Sequence, residues 1–80
     1  MTTREKYRLL KKELKGLDVE WLEHFSGKGI NMARVNGHSI VWHKYAYTKP
    51  DSPTVEVYFR GAGDVEGYVP IEGLRKRVEL

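Results

Sequence analysis

Arg4, Arg8, Lys11, Lys12 and Lys15 are the side chains whose types and spacing best suit a chemical task. On a helix, at about 100° per residue, all five fall within an arc of about 100°, and Glu5 and Glu13 lie outside it. Such a row can follow a phosphate backbone, each neutralised phosphate releasing condensed counterion. It would equally serve as a solvated face, because Lys and Arg are good helix formers. Arg75, Lys76 and Arg77 form a second cluster. It reads either as a charged tail or, if it lies beside the helix, as an extension of one polyanion-facing patch. A third set joins His43, Tyr45, Tyr47, Tyr58 and Arg60, aromatics interleaved with cations of the kind that stack on bases.

The patterns of catalysis are missing. His24, His38 and His43 are the histidines, and no cysteine accompanies them. On one strand His38 and His43 would point to opposite faces, which is poor metal geometry, so structural or surface roles are expected for all three. "SGKG" (26–29) lacks the leading glycine and the hydroxyl after the lysine that a phosphate loop requires. No serine-centred elbow occurs. The expectation is a non-enzyme without cofactor or metal.

Eighty residues carry a net charge of +3. Residues 1–15 hold six basic side chains against two acidic ones, and the other 65 hold eight against nine. The basicity therefore belongs to the N-terminal segment, an asymmetry that points to a polyanionic partner. A chain this short makes one domain, 1–80, with a small core; two Trp, two Phe and five Tyr supply much of its apolar area. The absence of cysteine suits a reducing compartment. There is neither a spanning apolar run nor the apolar h-region of a signal peptide, so the expected setting is cytoplasmic and away from membranes.

These groups need elements to position them. Thr2 and Glu5 fit a capping box, Gly16 fits the position after a helix end, and Tyr7, Leu10 and Leu14 form one stripe. A basic helix is expected over 3–15, bounded by 2–16, with the sheet or barrel in 18–80. "DVEWLEHFS" (18–26) reads as a strand with Val19, Trp21 and Phe25 alternating, and two helical turns capped by Asp18 fit nearly as well. Asn36-Gly37 predicts a type I′ hairpin pairing Val35 with His38, Ala33 with Ile40 and Asn31 with Trp42. Ala33, Val35, Ile40 and Trp42 then share a core face; Met32, Val41, His43, Tyr45 and Tyr47 share the other. "TKPDSP" (48–53) is a loop. "TVEVYFR" (54–60) alternates with Val55, Val57 and Phe59 on one side. After a tight "GAGDVEG" connection, "YVP" is a short strand, "IEGL" a single turn and "RKRVEL" a last strand or tail. In a two-layer domain the helix needs an apolar face, and the favoured packing sets Tyr7, Leu10 and Leu14 over the tyrosines, leaving their hydroxyls at the rim.

Gly67-Tyr68-Val69-Pro70 followed by Leu74 resembles the closing segment of SH3 domains, and "VEVYF…G…EGYVP" resembles the hairpin before it. The resemblance covers residues 54–80 and implies a partial barrel closed by a last strand. The acidic loop and N-terminal aromatic motif that SH3 domains use for proline-rich peptides are missing, so it implies no ligand. The expected fold is α+β, an N-terminal helix on a small curved antiparallel sheet or partial barrel, SH3-like in its C-terminal part. The expected function is binding of nucleic acid or nucleoprotein through the helix flank, with the tyrosine face on bases or a partner. The alternative is a protein-interaction module or inhibitor docking on a larger partner, of the kind phages and other mobile elements encode.

Overall fold

The structure is a computed structural model that describes residues 1–79. The chain runs α1 (Thr3–Glu13), β1 (Glu20–Leu22), β2 (Met32–Val35), β3 (His38–Val41), β4 (Thr54–Tyr58), β5 (Glu66–Pro70) and α2 (Leu74–Val78). The strands form one antiparallel sheet in sequence order, open between β1 and β5. The α+β class is as expected.

α1 begins where the capping box places it: Glu5 N donates to Thr2 Oγ1 at 3.1 Å, and Thr2 N donates to Glu5 Oε1 at 3.0 Å. It ends at Glu13 with Leu14 as its cap, two residues before the expected Lys15, and Gly16 turns the chain at φ +89°. The β2–β3 hairpin has the expected register, Ala33 facing Ile40 and Val35 facing His38. Asn36 (φ 50°) and Gly37 (φ 81°) take the two positive φ values that a type I′ turn demands.

Segment 18–26 does contain a strand, but only over β1. Phe25 leaves the expected alternation, because the buried Asn31 side chain takes over the backbone pairing next to it. His24 N donates to Asn31 Oδ1 at 2.5 Å, and Asn31 Nδ2 donates to His24 O at 3.4 Å.

One face of the sheet holds the core. Ala33, Val35, Ile40, Trp42, Val55, Val57 and Val69 pack there with Leu10 and Leu14 of α1 and Leu74 and Val78 of α2. The opposite face carries Arg34, Ser39 and Tyr58 in one cross-strand row and Met32, Val41 and Glu56 in the next. The favoured packing of α1 over the tyrosines is therefore wrong. Charged side chains on that face would be stranded under a helix, whereas the valine–isoleucine face offers unbroken apolar area.

The C-terminal segment also differs from expectation. Leu74 and Val78 are four residues apart and both buried, so "RKRVE" turns as α2 instead of extending as a strand. The closing strand that the SH3 resemblance implied is thus replaced by a helix, and Leu80, the last residue of that segment, lies outside the described residues.

Between Val55–Val69 and Val57–Glu66 the β4–β5 register shifts by one residue, a bulge on β5. Tyr68 sits in it at φ 54°, uncommon for a side chain of that size. Beside it, a Cβ on Gly67 would meet Tyr47 Cβ at 2.9 Å and Tyr47 O at 3.0 Å. Glycine is needed there because the 42–53 segment folds back across β5, where Tyr68 N donates to Tyr47 O at 2.9 Å.

Candidate nucleic-acid interface

α1 buries Lys6 and Leu10, its cap Leu14 is buried with them, and Arg4, Arg8, Lys11 and Lys12 are exposed on the helix, with Lys15 exposed in the turn that follows. The basic arc is centred about 150° from the buried stripe by helix geometry, so it faces away from the sheet and not along a flank of the core. None of the five forms an ion pair among the described residues. Lys11 Nζ also lies 5.2 Å from the centroid of the Tyr7 ring. Arg4, Arg8 and Lys12 stand one turn apart, about 6 Å of rise each, comparable to successive phosphates on an extended strand.

Lys6 counts toward the N-terminal charge in the sequence, but it is 2% exposed. Its Nζ donates to Lys49 O (2.8 Å), Thr54 O (2.9 Å) and Thr48 Oγ1 (3.2 Å), which uses all three ammonium protons. Burial pulls its pKa below the usual lysine range, against the opposing pull of Asp51. Lys6 fastens the 48–54 loop to α1 and takes no part in the exposed patch. The only sequence sign of this is that it lies on the same side of the helix as Leu10 and Leu14.

The C-terminal cluster divides. Arg75 binds the end of α1: its N donates to Glu13 Oε2 at 2.9 Å, and its guanidinium donates to Lys15 O and pairs with Glu79 at 3.2 Å. A cation there complements the negative end of the helix dipole. Arg77 makes a bidentate pair with Glu66 (3.1 and 3.0 Å) and lies 4.2 Å from the Phe59 ring centroid. Of the three, only Lys76 is exposed without an ion pair. The two clusters do meet, through Arg75, but that contact holds the helices together and adds little free charge.

The aromatic set divides as well. Tyr58 lies on the sheet face opposite α1, and Tyr47 folds over β5 beside Glu56 of that face. Arg60 sits at the hairpin tip, its Nη1 donating to Asn36 O at 3.1 Å. The sheet separates Tyr47 and Tyr58 from the basic arc, so one ligand strand cannot lie on both in the way the sequence reading joined them.

Tyr45 lies elsewhere, in a ring stack that the sequence reading did not anticipate. Phe25 stacks on His24 (4.4 Å, 28°), His24 on His43 (4.1 Å, 21°), and Tyr45 meets His43 edge-on at 6.2 Å. Phe25 is 92% exposed. Tyr68 is the other exposed aromatic that was missed, because its bulge has no sequence signature beyond the neighbouring glycine.

Both stacked imidazoles are hydrogen-bonded at Nδ1, which accepts from Ser26 N in His24 (3.1 Å) and from Tyr45 N in His43 (3.2 Å). Burial, and then the neighbouring His24, push His43 below the usual histidine range, while Glu56 opposes them. The unfolded chain therefore binds the proton more tightly. Stability from this source is complete above about pH 6.5 and is lost as pH falls from there toward the folded value. Thermal stability is expected to fall as pH drops below about 6.5, and to do so less in His43→Gln. Equal slopes for the two proteins over that window would remove His43 as the cause.

Among the described residues no group of three or more His, Asp or Glu side chains is placed to hold a metal, and no helix is long and apolar enough to cross a membrane. No protein-family model, curated protein or solved structure matches this chain.

Proposed function

We propose that the protein is a non-catalytic, cytoplasmic nucleic-acid- or nucleoprotein-binding domain that grips phosphates with the outward face of α1. The observation that carries this is the exposed row Arg4, Arg8, Lys11 and Lys12 on α1, with Lys15 exposed in the turn after it, all five without ion-pair partners among the described residues. Unpaired cations keep their full attraction for a polyanion, whereas Arg75 and Arg77 would first have to give up carboxylates. Within this proposal, the β4–β5 hairpin and Pro70 are read as an SH3-like half-barrel with α2 in place of the closing strand.

A second reading, a protein-interaction module, draws support from the exposed Tyr47 and Tyr58 on the side of the sheet opposite α1. Fluorescence anisotropy with labelled oligonucleotides at about 50 and 200 mM salt separates the two. The nucleic-acid reading expects micromolar or tighter binding that weakens steeply over that range. No binding at the lower salt would retire it and favour a protein partner.

A further inference from the structure

We propose that the ring stack of Phe25, His24 and His43 receives an unpaired base of a single strand whose backbone follows α1. This rests on the nucleic-acid reading and adds the class of ligand, single-stranded and not duplex.

Phe25 is held in an unusual way for an apolar ring. One face lies on His24 and the rest is open to water. Leaving a phenylalanine exposed forfeits about 2 kcal/mol of burial, a large omission in a chain with so small a core. Yet the platform beneath it is firmly built. The backbone of His24 is gripped on both sides by the buried Asn31 amide, its ring is hydrogen-bonded to Ser26, and its second face rests on His43. Three near-parallel rings with one free end are a pre-ordered seat for a fourth planar ring, which need not be a particular base because every base has a π face.

The surroundings carry the charge that such a ligand requires. Lys28, in the same loop as Phe25, lines a cleft of about 430 Å³ with Arg4 and Tyr7 of α1. Lys44 Nζ lies 5.0 Å from the Tyr45 ring centroid. Neither lysine has a carboxylate partner among the described residues. The stack also sits at the N-terminal end of α1, where the basic row begins. Trp42 Nε1 donates to Thr3 O at 3.1 Å, and the adjoining His43 and Lys44 line one cleft with Met1 and Thr3. A strand lying along α1 toward Arg4 therefore reaches Lys28 and Phe25 next. Base pairs inside a duplex are enclosed in their own stack and cannot cover the Phe25 ring, whereas unpaired bases can.

The test compares an oligothymidylate of about ten nucleotides with a duplex of equal length, using wild type, Phe25→Ala and Phe25→Trp. Phe25→Ala should weaken single-strand binding about tenfold, leave duplex binding within about twofold, and keep the salt slope, because no phosphate contact is lost. Phe25→Trp should restore the loss. An equal effect of Phe25→Ala on both ligands, or none, overturns the proposal. NMR of the Phe25 and His24 rings during the same titration separates this inference from the reading beneath it. Salt-dependent binding with unmoved rings sinks the stack and spares the helix. Shifted rings with binding indifferent to charge reversal on α1 sink the helix and spare the stack. Rings unmoved by any oligonucleotide but shielded by a protein partner would reassign Phe25 to protein docking.

Discussion

Lys6→Ala is expected to lower the unfolding free energy by about 2–4 kcal/mol, from a total of about 4–12 for a chain of this length. The substitution removes a packed four-carbon stem from a site that is 2% exposed. It also leaves Lys49 O without the ammonium proton it accepts at 2.8 Å and takes one donor from Thr54 O. Against these losses stands relief from holding a charge out of water, the same effect that draws the Lys6 pKa down. Three direct hydrogen bonds and the Asp51 field offset that cost only in part, so Lys6→Met, which keeps most of the stem, should be milder, about 1–2 kcal/mol. In thermal melts Lys6→Ala should fall by about 10–25 °C. A Lys6→Met protein more stable than wild type would show that desolvation of the ammonium outweighs its bonds, and the clamp would then be a cost carried for another reason.

Reversal of charge in Arg8→Glu with Lys12→Glu should weaken nucleic-acid binding about 10²-fold at about 50 mM salt. With five phosphate contacts the affinity for a single strand should follow salt with a log–log slope near −3.5, at about −0.7 per contact. Removing two contacts should bring the slope to about −2, and the added repulsion lowers affinity further. Both side chains are exposed and outside the core, so the unfolding free energy should move by no more than a surface substitution allows, about ±0.5 kcal/mol each. The double variant isolates α1 from Lys76, which remains exposed. Unchanged affinity and slope would place the binding surface elsewhere and leave α1 as a solvated face.

The elements that were legible in the sequence are those whose signals are local. The capping box of Thr2 and Glu5 lies within four residues, and the Asn36-Gly37 turn sets the register of its hairpin through backbone φ alone. Alternation in Val55 and Val57 correctly marked the buried side of β4, because side-chain direction along a strand has a period of two. The same periodicity grouped Arg4, Arg8, Lys11 and Lys12 on α1, and all four are exposed, while Lys15 falls in the turn after the helix.

What failed were inferences that required knowing which elements meet. Arg75, Lys76 and Arg77 are equivalent as a run of charges. Only the docking of α2 gives Arg75 the end of α1, gives Arg77 the Glu66 carboxylate and leaves Lys76 exposed. Lys6 is one lysine among several until the 48–54 loop closes over it. Phe25, expected to alternate with Val19 and Trp21 along a strand, is instead the exposed end of a ring stack assembled from two loops that are separate in the chain.

The sequence by itself therefore determined a basic helix, an Asn-Gly hairpin and the buried faces of the strands, since each follows from the period of a helix or strand or from the φ demands of one turn. The meeting of remote elements settled which sheet face α1 covers, that Leu74–Val78 turns as a helix and leaves the sheet open, and which helix cations stay without an ion pair among the described residues. Those outcomes depend on long-range burial, where the unbroken valine–isoleucine face offered α1 apolar area and the face bearing Arg34 and Glu56 did not.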